Sequence, residues 1–169
     1  AGKVSSDSFR LLLEYLSEHA DIKKILEEKN NNGSSCLHVA CRYELSIDSL
    51  RLLLEYLSKH ADIEKILEEK NNDGWTCFHV ACRCELSIDA FRLLHEHLSN
   101  HVDLQQMLGE KTCGGCNCLH LACAGKVSSD SFCLLLEYLS KHTGIKKMLE
   151  EKDNDEWTCL HFACSNQLQ

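Results

Sequence analysis

The chain has 169 residues, 44% of them apolar and 26% charged, a globular composition that excludes a disordered chain. Its net charge of -8 argues against a nucleic-acid-binding face, which needs clustered Lys and Arg, and no apolar run reaches the ~20 residues of a membrane span. Proline is absent and glycine numbers only 8, which disfavours an all-β sandwich and suits helices.

One string recurs. Cys-Leu-His-Val-Ala-Cys occupies Cys36 to Cys41, and variants begin at Cys77, Cys118 and Cys159, 41 residues apart each time. Four occurrences at one period mean a repeat architecture. Ala1 to Lys29 also matches Ala124 to Lys152 at 24 of 29 positions, three periods on. The partition is one array over 1–169: a partial repeat at 1–29, full repeats at 30–70, 71–111 and 112–152, and a partial repeat at 153–169. The phases of the two ends suggest a segment cut from a longer array.

Each period holds three helical patterns. The first follows a capping residue, Ser35, Thr76, Asn117 or Thr158, whose side-chain oxygen accepts a free N–H of the first turn. In the second copy Phe78, Ala81 and Cys82 share a face, and the helix is expected to end near Leu86. The second helix starts after Ser46, Ser87 or Ser128, with Asp48, Asp89 or Asp130 at the positive end of its dipole. Ile47, Leu50, Leu53, Leu54 and Leu57 form its apolar stripe. His19, His60, His101 and His142 close it, where the dipole favours them. A shorter third helix starts at Asp62, with Ile63, Ile66 and Leu67 as its apolar face. Polar turns such as Asn71-Asn72-Asp73-Gly74 end the period, because Gly and Asn tolerate positive φ. No such unit buries its apolar face alone; stacked units do.

The run Asp73-Gly74-Trp75-Thr76-Cys77-Phe78-His79-Val80-Ala81-Cys82 resembles the ankyrin-repeat signature Asp-x-x-Gly-x-Thr-Pro-Leu-His-x-Ala-Ala. The Leu-Leu of the second helix and Ala61-Asp62-Ile63 extend the resemblance, which runs through the whole chain. It implies an all-α, ankyrin-like helical solenoid. Three departures stand out: a period of 41, Cys in place of the family's Pro, and Glu156 in place of a turn glycine. The added residues make a short third helix where the family has the arm of a hairpin, so little or no strand is expected. Solenoids of the HEAT and armadillo type share periods near 40 but lack the Thr-x-Leu-His turn.

The resemblance implies that His38, His79, His120 and His161 hydrogen-bond the turn of their own or the adjoining repeat. A catalytic histidine needs a unique site, and these recur. Cys41, Cys82, Cys123 and Cys164 take a small position between helices. Cys36, Cys77, Cys118 and Cys159 sit at helix starts, where a lowered thiol pKa would make them mildly reactive. Reduced thiols imply an intracellular, cytoplasmic setting. Cys113-x-x-Cys116-x-Cys118 superficially resembles a zinc knuckle, but no second Cys-x-x-Cys completes four ligands. His97 and His101, at helical i, i+4 spacing, lack a third ligand. Glu68 and Glu69 read as solvated charge. No phosphate loop, zincin motif or nucleophile elbow is present, so no enzyme activity, cofactor or metal is expected.

Function is sought where the copies differ. Cys36, His38, Ala40, Cys41, Leu53 and Leu57 are the same in every copy present and carry packing. The turns and the residues after Ala-Cys vary, and in ankyrin-like stacks these line the concave groove. The candidate partner contacts are Asn32, Ser34, Arg42, Tyr43, Asp73, Trp75, Arg83, Cys84, Cys113, Cys116, Lys126, Asp155, Trp157 and Asn166. Trp, Tyr and Arg among them are the usual interface hot spots. The expected function is a non-enzymatic scaffold binding another protein, with no nucleic acid and no membrane insertion. A structural or elastic spacer that self-associates head to tail through its incomplete end repeats is one alternative. A thiol or metal-binding array is the other.

Overall fold

The computed structural model describes residues 4–141 and 143–166. Twelve helices and no strand occur among them, as the repeat pattern predicts. The order is α1 (Ser6–His19), α2 (Ile22–Glu27), α3 (Cys36–Arg42), α4 (Ile47–His60), α5 (Ile63–Glu68), α6 (Cys77–Arg83), α7 (Ile88–His101), α8 (Leu104–Gly109), α9 (Cys118–Ala124), α10 (Ser129–Ser140), α11 (Ile145–Glu150) and α12 (Cys159–Asn166). Three helices per 41 residues make an all-α solenoid.

Local chemistry sets most boundaries. Ser5, Ser46, Ser87 and Ser128 each accept the N–H three residues on, which fixes the start of the 12- to 14-residue helices. Asp21, Asp62 and Asp103 do the same for the six-residue helices α2, α5 and α8. At α11 the equivalent residue is Gly144, which supplies no side-chain cap. His19, His60 and His101 end their helices as expected; His142 lies outside the described residues. Helix α6 stops at Arg83, short of the expected Leu86. Leu86 is buried all the same, in the connection to α7, so its apolar character reflects packing and not helical continuation.

A six-residue helix has no independent stability. Here α5 buries Ile63, Ile66 and Leu67 and packs against α7, the long helix of the next repeat. A thiol adds to this. The Cys77 S–H donates to the Leu67 carbonyl at the end of α5 (3.8 Å), and Cys36, Cys118 and Cys159 donate to Leu26, Leu108 and Leu149 at 3.6, 3.9 and 4.0 Å. Proline at the same position has no side-chain donor to offer. Two departures from the family pattern, the third helix and the cysteine, are therefore one device.

The core forms where like stacks on like. The short motif helices pack in the order α3, α6, α9, α12, and the long helices in the order α1, α4, α7, α10. Phe78 and Phe91 meet inside at 5.5 Å between ring centroids, and Leu50, Leu54, Leu57, Leu94 and Leu98 are fully buried around them. Ion pairs Lys29–Glu69, Lys70–Glu110 and Lys111–Glu151 recur at each junction. Glu69 is therefore paired, not simply solvated as its position in the sequence suggests. Such partly exposed pairs contribute on the order of 1 kcal/mol or less each.

Candidate functional site

The variable positions are held by turns of repeating construction. Asn30 Oδ1 accepts from the N–H groups of Asn32 and Ser34 (2.9 and 3.0 Å), and Asn71 and Asp153 do the same for their turns. Thr112 substitutes with one bond, accepting from Cys116 N–H at 3.2 Å. Gly33, Gly74 and Gly115 adopt φ of 72°, 77° and 79°. Glu156 takes the fourth position at φ 66°, a conformation that disfavours a residue with a Cβ.

Successive turns are stitched edge to edge. Asn72 N–H donates to the Asn32 carbonyl (3.0 Å), Cys113 N–H to Asp73 (2.9 Å) and Asn154 N–H to Gly114 (3.0 Å). The Asn72 and Asn154 amides add bonds to the carbonyls of Asn31 and Cys113. A Cβ on Gly74 would stand 2.7 Å from the Cys113 nitrogen, so glycine is required there by space as well as by φ.

Histidine braces each motif turn. His38 Nδ1 accepts from the Ser35 N–H (3.3 Å), which leaves the proton on Nε2 to donate to the Trp75 carbonyl at 2.8 Å. His79 and His120 accept in the same way, but their Nε2–H groups donate to the carbonyls of Glu110 (3.1 Å) and Glu151 (3.2 Å), the residues that close α8 and α11. His38 thus bonds the turn of the adjoining repeat, while the bonds of His79 and His120 stay within their own repeats. Burial holds the imidazoles of His38, His79 and His120 below the usual histidine range, His79 at about 4. They are neutral struts.

Cys36 and Cys77 are not activated by their helix starts. Burial pushes the thiols of Cys36 and Cys77 up to about 11 and about 12, overriding the helix N-terminus and correcting the expected mild reactivity. The three cysteines of the knuckle-like run point apart. Cys113 donates to the Asn72 carbonyl, Cys116 to Asp153 Oδ2 and Cys118 to the Leu108 carbonyl. Among the described residues no three His, Cys, Asp or Glu side chains converge on a common point suited to a metal.

Between the first two turns lies a cleft of about 320 Å³. Eight of the candidate contacts line it: Asn32, Ser34, Arg42, Tyr43, Asp73, Trp75, Arg83 and Cys84. Arg42 and Arg83 are exposed, and among the described residues neither forms an ion pair. Tyr43 is 71% exposed, so its ring is free to bury area against a partner. Trp75 is half-buried against the core and lines the cleft. Asn30, Asn71, Val39 and Val80 also line the space. In the sequence they look like turn chemistry and core valines, and nothing in their pattern marks them as cleft wall.

A second hollow takes in Lys126 and Asn166 beside Arg42, Glu44 and Glu85. Asn166 is already engaged, its amide donating to the Gly125 carbonyl at 2.8 Å. Cys113, Cys116, Asp155 and Trp157 stand on the later turns, outside both spaces. Trp157 packs near Phe162 (5.3 Å) and is 40% exposed.

A sequence profile of ankyrin repeats, in three copies, matches residues 3–106. The chain belongs to the ankyrin-repeat family. Ankyrin repeats are generally protein–protein interaction modules. This ankyrin array differs from the family pattern by its third helix, described above, while the His strut and the stitched turns follow the Thr-x-Leu-His motif. A search of curated proteins returns no match. No described helix of the ankyrin array is long and apolar enough to cross a membrane.

Proposed function

We propose that this array is a non-enzymatic, cytoplasmic scaffold that binds a partner protein through the cleft between its first two turns and the turn tips beyond it. One observation carries this. Residues that vary between otherwise similar repeats converge on one cleft, and two unpaired arginines and an exposed tyrosine are among them. Arg and Tyr side chains concentrate binding energy because they combine large contact area with charge or a hydroxyl.

The test is quantitative capture from lysate with the wild-type chain and with a Tyr43→Ala/Arg83→Ala variant whose helicity is unchanged. Proteins enriched by the first and lost with the second support the cleft. An identical set from both chains refutes it. A passive spacer has one supporting feature, the ion pair and turn bond repeated at every junction. Capture of nothing but the chain itself would favour that function.

A further inference from the structure

The two arginines of the cleft stand apart from the cations around them. Arg42 and Arg83 lie in the last turns of α3 and α6, at the same phase of successive repeats. The next two copies carry Ala124 and Ser165 there, so the basic pair marks this cleft alone. The junction cations Lys29, Lys70 and Lys111 each already hold a glutamate. Neither guanidinium does among the described residues, and an unpaired guanidinium presents a fork of N–H donors matched to a carboxylate.

Position and spacing define the complement. The cleft shares Arg42, Arg83 and Cys84 with the second hollow, of about 420 Å³, so a segment lying along both passes over the two guanidiniums. Equivalent residues of stacked helices stand about 8–10 Å apart. Acidic residues two or three apart in an extended segment span about 7–10 Å, which lets one carboxylate reach each arginine. On the cleft side Tyr43, Val39 and Trp75 offer surface to an apolar neighbour, Tyr43 being 71% and Val39 38% exposed. Exposed carboxylates bracket the basic step, Asp73 in the cleft and Glu44 and Glu85 in the second hollow. They repel a continuous polyanion or a dianionic phosphate, whereas two single charges match two guanidiniums.

We propose, resting on the cleft as the binding site, that its partner presents an extended, unphosphorylated acidic segment. Two Asp or Glu residues, two or three apart, place one carboxylate on Arg42 and one on Arg83. A bulky apolar side chain beside them seats against Tyr43, Val39 and Trp75. The arginines set the class of partner, and the aromatic wall supplies contact area.

The experiment pans a phage-displayed library of random peptides on the 169-residue chain and measures the enriched sequences, as fluorescein-labelled peptides, by anisotropy. The expected sequences carry paired acids at that spacing beside an apolar residue. Arg42→Gln/Arg83→Gln should weaken them on the order of tenfold. Arg42→Glu/Arg83→Glu, panned separately, should select Lys and Arg in place of the acids. Circular dichroism checks the helicity of each variant, and the Gln pair carries the test if the Glu pair disturbs the last turns of α3 and α6. Tyr43→Ala should weaken binding and leave the acidic preference intact. Tighter binding of a phosphoserine version of the same peptide would overturn the unphosphorylated class. Peptides without an acidic bias that still depend on Tyr43 would overturn the proposal and leave the cleft standing. Peptides indifferent to every one of these substitutions would overturn the cleft as well. Absence of any enrichment would overturn the acidic segment, while lysate capture lost with Tyr43→Ala/Arg83→Ala would still uphold the cleft.

Discussion

Acid should loosen this array through its buried histidines, and His79 allows the size to be worked out. Its Nδ1 accepts the Thr76 N–H at 3.2 Å, and its Nε2–H donates to the Glu110 carbonyl at 3.1 Å. A second proton on Nδ1 would set N–H against N–H inside the core. Burial accordingly lowers the folded pKa from 6.5 to about 4. The unfolded chain takes up the proton near 6.5, so between those values the unfolded state holds more protons than the folded one. Stability is then full above pH 6.5 and is lost as the pH falls towards 4. At 1.36 kcal/mol per unit the complete loss is about 3 kcal/mol, and by pH 5 it is about 2 kcal/mol. His38 and His120 are lowered by the same cause and act in the same direction. Urea unfolding followed by circular dichroism at pH 7.5 and 5.0 measures the difference. His79→Gln keeps a donor and an acceptor but cannot gain a proton. The variant is expected to be weaker at pH 7.5, yet to lose about 2 kcal/mol less than wild type between the two pH values. Equal losses in both chains would refute a neutral, acid-labile strut.

Gly74→Ala should cost more than the ~1–2 kcal/mol of a left-handed residue, because its Cβ also meets the Cys113 backbone, whereas Gly114→Ala has its nearest neighbour at 3.8 Å and should be silent in thermal melts. Glu156→Gly should raise stability by about 1 kcal/mol by relieving φ 66°, its exposed partner Lys152 contributing little; a lower melting point would contradict this. His95, a histidine on an otherwise leucine position, stacks on Tyr138 at 3.4 Å between centroids, and the Ser99 hydroxyl donates to its backbone carbonyl at 2.8 Å and lies 3.4 Å from its Nδ1. A double-mutant cycle of His95→Ala and Tyr138→Ala should show coupling of about 0.5–1.5 kcal/mol, and additivity would exclude the stack. A segment of these 169 residues alone leaves Leu160 68% and Leu12 51% exposed at its two ends, and light scattering should show growth with concentration; a strict monomer throughout would show that both faces tolerate water.

Much of this fold is legible in the sequence because its determinants are local. Ser46, Ser87 and Asp62 act as caps in the structure where their position before an apolar stripe places them. The end of α6 is not legible. Leu86 extends the apolar pattern, but it is buried from a connection, and periodicity does not distinguish the two. The candidate site divides along the same line. Arg42, Tyr43, Trp75 and Arg83 are visible because they vary between copies, and the cleft contains them. Val39 and Val80 are invisible because valine in an apolar motif signals core, although Val39 is 38% exposed. Thiol chemistry is the clearest failure of local reasoning. A helix start predicts a lowered pKa for Cys77, while full burial, a tertiary property, drives it up to about 12.

The cysteines also explain how a 41-residue unit stays in register without the hairpin arms of its family. The extra residues fold into α2, α5, α8 and α11, each only six residues long and each needing an anchor. The first motif cysteine of the following repeat supplies one, bonding the end of that helix. One atom therefore joins the added helix to the older stack of motif helices. Replacing Cys118 with proline would restore the family residue yet remove that bond, freeing the end of α8. The expected result is a destabilised array whose loss is greatest in amide-exchange protection of Leu104–Gly109, and unchanged protection there would mean that apolar burial of Met107 and Leu108 suffices to hold the third helix.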